Sequence, residues 1–204
     1  PSGTQAHPPL HVRHGSGGAP VRPNYSCLGI GLVPAARDLK FQDRGPLFSL
    51  APQHPTVFEP YKRPCHTITP AFAFKQHEGE YKPWLSFGVM GGGMEQQGHV
   101  QSILNLIDYD MGLQEAGDAA RWEHVGGCEP TDNLNDDSCY EDMGIVQLEG
   151  GIPNATKREL EARGHTVKYV PANAGGYQAI MRNFDTGAWV AATEMRKDGV
   201  ADGY

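Results

Sequence analysis

The glycine run at residues 88–93 could form a turn whose backbone N–H groups bind the oxygen atom of a reacting group. It reads Gly-Val-Met-Gly-Gly-Gly and lies between a predicted strand and a predicted amphipathic helix. Backbone N–H groups at such a helix N-terminus point outward, and they can stabilise an anion or a developing oxyanion. A tight strand-to-helix turn needs the same glycines, so the run alone leaves both interpretations open.

A second segment of interest, residues 62–70, comes just before a predicted strand. It combines the cations Lys62 and Arg63 with the hydroxyl groups of Thr67 and Thr69. Taken alone, this combination is also what a basic surface loop contains. A functional interpretation of this segment depends on the other motifs of the sequence.

Other signatures of catalysis or metal binding are missing from the sequence. There is no Gly-x-Ser-x-Gly, no His-Glu-x-x-His and no Cys-x-x-Cys. The three histidines at residues 7, 11 and 14 have no second cluster to complete a metal site. The acidic loop at residues 126–143 does not follow the register of a calcium loop. We therefore predict no metal and no cofactor.

The four cysteines leave a choice open. Cys128 and Cys139 flank the acidic loop and are candidates for a disulfide bond. The alternative, which we favour, is that all four are free thiols.

The composition fits a folded chain and argues against several classes of protein. With 17 Lys and Arg against 24 Asp and Glu, the net charge is −7. This argues against a generic nucleic-acid binder, because phosphate neutralisation needs a basic surface. No run of about 18 apolar residues is present, so no membrane span is predicted. The chain starts without an initiator Met, so we expect a processed product or a fragment. Its compartment, cytoplasmic or periplasmic, stays open.

Residues 1–23 differ from the rest of the chain. They hold five Pro, four Gly and three His. Pro8-Pro9 and Gly17-Gly18 oppose both a helix and a central strand, so we predict an extended or disordered arm. The chain is thus divided into this arm and an ordered region, residues 24–204.

The ordered region is predicted to be an α+β fold with alternating strands and helices. Residues 34–64 are rich in proline and are predicted to be mostly loop. From Val100 the apolar residues fall at i, i+3, i+4 and i+7, the spacing of an amphipathic helix. The other predicted elements are hairpins at 71–89 and 177–192, a helix at 113–122, strands at 145–148 and 166–170, and a helix between Pro153 and Gly164.

A series of motifs runs from Tyr25 to Tyr204. They are Asp43-Arg44-Gly45, Phe48-Ser49, His54-Pro55, the 62–70 segment, Phe87-Gly88-x-Met90-Gly91-Gly92, Gly98-His99-Val100-Gln101, the 115–121 segment, Gly164-His165 and the 196–204 segment. In type and order they resemble the small-subunit region of the gamma-glutamyltranspeptidase family.

The resemblance implies a fold and a mechanism. Members are N-terminal-nucleophile hydrolases, and this chain would form part of their αββα four-layer sandwich. A precursor cleaves itself before a Thr, whose hydroxyl then attacks a gamma-glutamyl amide while its own α-amine serves as base. An α-amine has a pKa of about 8, which suits a base near neutral pH. The acyl group then passes from the Thr hydroxyl to water or to an amino-acid acceptor, as in glutathione metabolism.

The resemblance also implies site residues. Gly91 and Gly92 match the family's oxyanion-hole glycine pair. His66 and Thr67 stand where many members carry two serines that touch the substrate. Thr67 keeps a hydroxyl in the second position, whereas His66 is a departure from the pattern.

Arg44 falls in the loop where glutathione-cleaving members carry residues for the glutamyl α-amine. The acidic residue expected just after it is missing, because Pro46 and Leu47 stand there. This departure looks more like the acylase-like branch of the family, and it argues against strict gamma-glutamyl specificity.

Thr4 is the candidate nucleophile, since the resemblance places the family's Thr about twenty residues before Tyr25, which is close to Thr4. The residues after it, Gln5 to Pro9, do not form the apolar strand that should follow. The alternative is therefore a tail Thr in a truncated chain. Because Pro1, Ser2 and Gly3 precede Thr4, its amine lies in a peptide bond, and we expect this chain alone to be inactive.

The leading interpretation is a gamma-glutamyltranspeptidase-like amidohydrolase or acyltransferase that acts on gamma-glutamyl or similar acyl amides. One alternative is a catalytically dead fragment or scaffold of the same fold. Another is a beta-lactam side-chain acylase. The expected partners are a small-molecule amide substrate and the large subunit of the same precursor.

Overall fold

The computed structural model describes residues 44–127, 143–171 and 175–203, together with the backbone of residues 11–14. The chain divides into two compact units, residues 16–68 and residues 1–15 with 69–204. Among the described residues of the smaller unit, regular structure is limited to a 3-10 turn at Gly45–Leu47 and a bridge between Ser49 and Val57. The loop prediction for this part of the chain is therefore confirmed within the described range.

The larger unit alternates strands and helices, as the sequence predicts. Each predicted strand and helix has a counterpart, although the boundaries differ by a few residues. The strands are β1 (His11–His14), β2 (Ala71–His77), β3 (Glu80–Met90), β4 (Trp122–Val125), β5 (Ile145–Glu149), β6 (Val167–Val170), β7 (Gly176–Arg182) and β8 (Trp189–Thr193), and the helices are α1 (Met94–Ile107), α2 (Leu113–Asp118) and α3 (Asn154–Ala162).

Five strands form an antiparallel sheet in the order β1-β2-β3-β7-β8. The two predicted hairpins are confirmed as β2–β3 and β7–β8. The sequence did not predict β1, which lies within the arm and pairs with β2 from Ala71 to Phe74. As an outer strand it is the kind of position where nearby prolines are tolerated.

A second sheet has three strands in the order β4-β5-β6. β4 pairs antiparallel with β5, and β5 pairs parallel with β6 through the crossover helix α3. Pro153 is the N-cap of α3, so the helix itself begins one residue later than the sequence indicates.

The prediction that the second helix runs to Trp122 is wrong, because α2 ends at Asp118. The side chains of Arg121 and Arg196 both donate to the carbonyl of Gly117, at 2.7 and 3.1 Å. These bonds satisfy a carbonyl of the last helical turn from outside the helix, which stabilises its end there.

The core lies between the five-stranded sheet and the helices α1 and α2. Its buried members are Ala71, Ala73, Leu85, Phe87, Val89, Leu113, Tyr177, Ala179 and Ala192. The close approach of α1 depends on Gly98, since a Cβ there would lie 2.6 Å from Cγ1 of Val89.

The first helix is confirmed, but its predicted buried face is partly wrong. Val100 and Leu104 are 55% and 40% exposed. Ile103 of the predicted pattern does pack against the core, and so does Leu106. The buried positions of the helix also include Gly98, which has no side chain, and the polar Gln101 and Ser102. A pattern of apolar residues cannot identify these glycine and polar positions. No helix among the described residues meets the length and hydropathy needed for a membrane span.

Candidate active site

The glycine run forms the turn between β3 and α1. Gly91 and Gly92 both have positive φ, at 144° and 64°. Within the described part of the chain, no carbonyl accepts a hydrogen bond from either backbone N–H. Their carbonyls are occupied, by the N–H of Met94 at 3.3 Å and that of Glu95 at 3.0 Å. The turn thus leaves two exposed donors at the start of a helix.

At Gly91 both the backbone conformation and the lack of room for a side chain require glycine. A Cβ on Gly91 would lie 2.9 Å from Cα of Gly175 and 3.2 Å from Cβ of Met94. Gly92 has open space around it, so there only the left-handed backbone favours glycine. The two glycines therefore serve the turn for different reasons.

A buried carboxylate lies in the first turn of α1 and was not predicted. Glu95 is 9% exposed and accepts a hydrogen bond from the hydroxyl of Thr69 at 3.2 Å. A negative charge at a helix N-terminus is favourable because it faces the positive end of the macrodipole. The only signal in the sequence was the nearness of Glu95 to the glycine run, which does not reveal Thr69 as its partner.

His99 of α1 is buried against the sheet. It is 5% exposed, and its ring lies 5.2 Å from that of Phe87 in a tilted arrangement. Phe87 belongs to β3, the strand that leads into the glycine turn. The contact holds helix and strand together beside the turn.

The smaller unit brings two of the predicted substrate-binding residues together. Arg44 is 2% exposed, and its Nη1 donates to the hydroxyl of Thr67 at 2.7 Å. His66 is exposed. The structure therefore pairs buried Arg44 with Thr67, and both Thr67 and its neighbour His66 are exposed.

Several sequence predictions lie outside the described residues. They concern Thr4, the acidic loop and the possible bond between Cys128 and Cys139. Cys65, which is described, is a free and exposed thiol. Within the described ranges no cluster of His, Cys, Asp or Glu is arranged to hold a metal ion.

Comparison with known proteins gives a consistent family match. The gamma-glutamyltranspeptidase family matches residues 26–204. The chain is 29% identical over 182 residues to the oxamate amidohydrolase proenzyme of Klebsiella pneumoniae, covering 88% of this chain and 32% of that protein. The chain thus spans about a third of that relative's length.

Solved structures agree in fold. Cephalosporin acylase from Bacillus halodurans superposes with a TM-score of 0.66 at 35% identity, covering 89% of this chain and 31% of that one. Gamma-glutamyltranspeptidase from Pseudomonas nitroreducens superposes with a TM-score of 0.60 at 23% identity, covering 89% and 90%.

The fold class predicted from the sequence, an α+β part of an N-terminal-nucleophile hydrolase, is confirmed by these neighbours. The family match spans the motifs at residues 43–45, 62–70, 87–92 and 196–204. Matched over most of its length, the chain belongs to the gamma-glutamyltranspeptidase family.

Proposed function

We propose that this chain is the catalytic small-subunit region of an amidohydrolase or acyltransferase that cleaves gamma-glutamyl or similar acyl amides through a Thr acyl-enzyme. The observation that carries the proposal is the pair of unoccupied donors on Gly91 and Gly92. Attack on an amide turns the carbonyl oxygen into an oxyanion, which two fixed N–H groups stabilise as the charge develops. Losing one such donor typically costs about 10²–10³ in kcat.

The proposed acyl-group site is built on Arg44 and Thr67. A guanidinium binds a carboxylate with two parallel hydrogen bonds, and the bond from Nη1 to the Thr67 hydroxyl holds the planar group in one orientation. Gamma-glutamyl and glutaryl groups share a terminal carboxylate, so Arg44 suits either. His66 is proposed as a further substrate contact next to Thr67, since both residues are exposed.

One observation favours an acylase as the second candidate. A gamma-glutamyl group differs from a glutaryl group by an α-ammonium, which an acidic side chain would bind. The 3-10 turn after Arg44 carries Pro46 and Leu47 instead. The similarity to a cephalosporin acylase points the same way. We therefore include acyl donors that lack the α-ammonium group, such as glutaryl amides, among the proposed substrates.

The proposed nucleophile is a Thr made N-terminal by self-cleavage of a precursor, with Thr4 as the candidate in this chain. The similar oxamate amidohydrolase is a proenzyme. The proposed partner is accordingly the large subunit of the same precursor. N-terminal sequencing of the purified complete protein tests Thr4, since the proposal requires Thr4 to become the first residue of a subunit.

A substrate comparison tests the function itself. The complete protein is incubated with gamma-glutamyl-p-nitroanilide and with glutaryl-p-nitroanilide, and p-nitroaniline release is followed. The proposal expects turnover of at least one substrate, and the acylase form expects the glutaryl compound to have the higher kcat/KM. Release from neither, with both subunits present and processed, would support the scaffold alternative and contradict the proposal.

A further inference from the structure

Two glutamines of α1 pair with the outer edge of β4. Gln97 donates from Nε2 to the carbonyl of His124 at 3.1 Å, and its Oε1 accepts the N–H of the same residue at 2.8 Å. Gln101 does the same with Trp122, at 2.8 and 3.0 Å. Each carboxamide thus makes the two bonds that a neighbouring strand would make in an antiparallel ladder.

The spacings of helix and strand make this match possible. Gln97 and Gln101 are four residues apart, which is about 6 Å along a helix axis. Trp122 and His124 are two residues apart, which is about 6.6 Å along a strand. Residues two apart in a strand also direct their N–H and C=O groups to the same edge. The other edge of β4 pairs with β5.

The second proton of each amide group binds the helix itself. Nε2 of Gln97 also donates to the carbonyl of Gly93 at 3.2 Å, and Nε2 of Gln101 to that of Gln97 at 3.1 Å. Gly93 is the N-cap of α1 and directly follows Gly92. Gln97 therefore links the β4 edge to the residue next to the glycine turn.

The same arrangement occurs once more, on the other sheet. Gln114 of α2 donates to the carbonyl of Thr193 at 2.8 Å and accepts its N–H at 3.1 Å. Thr193 belongs to β8, the outer strand of the five-stranded sheet. A side-chain amide thus bonds one of the two edge strands of each sheet, and the pairing in α1 is not an isolated contact.

We infer that Gln97 and Gln101 are positioning residues for the glycine turn. Their hydrogen bonds to β4 prevent α1 from sliding along its own axis. Because the glycine turn leads directly into α1, the same bonds fix the direction of the Gly91 and Gly92 N–H groups. The inference rests on the proposed function of those amides. A carboxamide is required, because a carboxylate would set an oxygen against the carbonyls of His124 and Trp122 and has no proton to donate.

Hydrogen exchange and NMR test the contact without any need for turnover. In the complete protein, Gln97→Ala should raise the exchange rate of the His124 amide about tenfold, and Gln101→Ala that of Trp122. The Gln97→Ala variant should also shift the amide resonances of Gly91 and Gly92. The matched control is Gln96→Ala, an exposed neighbour on the same helix. Unchanged exchange, or glycine resonances that do not move, would overturn the inference.

Kinetics then separate positioning from simple stabilisation. If the glycine turn is the oxyanion site, Gln97→Ala should lower kcat about tenfold with KM unchanged, since only the transition state uses the turn. Gln97→Glu should be no better than Gln97→Ala, whereas Gln96→Glu should match the parent. An equal loss in the Gln96 control would contradict the inference. A complete protein that shows the exchange and NMR changes but no amide turnover would contradict the proposed function alone.

Discussion

Gly91 is the residue on which the shape of the turn depends most. Its φ of 144° disfavours an L side chain, and an added Cβ would meet the backbone of Gly175 at 2.9 Å. We expect Gly91→Ala to lower the free energy of unfolding by about 1–3 kcal/mol. Urea denaturation of the complete protein measures this change.

Gly93 provides the matched control for that substitution. It has helical φ and ψ, −61° and −15°, and nothing lies within 4 Å of an added Cβ. Gly93→Ala should leave stability unchanged or raise it by up to about 1 kcal/mol. Equal losses for Gly91→Ala and Gly93→Ala would show that the turn is not fixed as described.

Arg44 is the residue proposed to bind the carboxylate of the acyl group. Arg44→Ala should raise KM for a glutaryl or gamma-glutamyl amide at least about tenfold and lower kcat less, because a carboxylate contact is made in both the ground state and the transition state. Exposed Arg63 in the same unit is the control, and Arg63→Ala should change neither constant. A fall in kcat at constant KM would remove Arg44 from substrate binding.

The sequence predicts single residues well where the reason is local. Gly91 and Gly92 form the predicted strand-to-helix turn, whose backbone itself needs glycine, whereas their match to the oxyanion glycines comes from the resemblance alone. Glu95 was missed because its partner, Thr69, lies 26 positions away along the chain. Gln97 and Gln101 were missed for the same reason, as each needs a β4 edge that the sequence did not reveal.

At the scale of elements, a buried network of four charges joins the two sheets. Arg196 bonds Glu149 at 2.6 Å and Glu194 at 2.8 Å, and Arg121 bonds Glu194 at 2.9 Å. Glu149 ends β5, and Glu194 directly follows β8. The carboxylate of Glu194 also accepts the backbone N–H of Tyr177 at 2.7 Å. The network ties β5, β7 and β8 to the end of α2.

The network predicts acid sensitivity. Burial alone would raise the pKa of Glu194, but hydrogen bonds from Arg196 and Tyr177 and the charge of Arg121 outweigh burial and lower the pKa. A carboxyl with a lowered pKa in the folded state stabilises the fold above its unfolded pKa of about 4.3 and loses that contribution as the pH falls through the folded pKa. Stability should therefore decrease below about pH 4.

Glu194→Gln tests this network directly. The substitution leaves two arginines facing a neutral side chain, so we expect a loss of about 3–5 kcal/mol at pH 7 and a flatter acid limb. Glu159→Gln is the control, because its ion pair with Arg163 has side chains 63% and 68% exposed and should contribute at most about 1 kcal/mol. Urea midpoints across pH measure both. Similar losses for the two variants would contradict the account of the network.

Strands and helices with a strong periodic signal were predicted, and β4 was not. It has only the sequence Trp-Glu-His-Val, next to glycines and after a helix-forming stretch. Its strand conformation comes from β5 on one edge and from two glutamine side chains on the other. Such a strand is defined by its neighbours rather than by its own residues.

At the scale of the whole molecule, one face of the five-stranded sheet packs against helices and the other carries exposed apolar residues. Phe72 and Ile180 are 38% and 50% exposed, and both lie directly opposite Ser86 in the pairing. We expect the large subunit to cover this face in the complete protein. The residues that form this exposed face follow from the register of the paired strands.

We expect this chain alone to release no p-nitroaniline from gamma-glutamyl-p-nitroanilide. Three residues precede Thr4, so its amine is acylated and cannot act as base. The control is the complete protein under the same conditions. Release by this chain that disappears in Thr4→Ala would overturn the expectation and identify Thr4 as the nucleophile.

The proposed function requires the amides of Gly91 and Gly92 to bind the oxyanion. A crystal structure of the complete protein with a boronic acid in place of the substrate carbonyl examines this contact itself, because the boronate is tetrahedral like the intermediate. We expect one boronate oxygen to lie about 2.7–3.1 Å from both amide nitrogens. A boronate bound to the nucleophile with that oxygen directed away from the two glycines would contradict it.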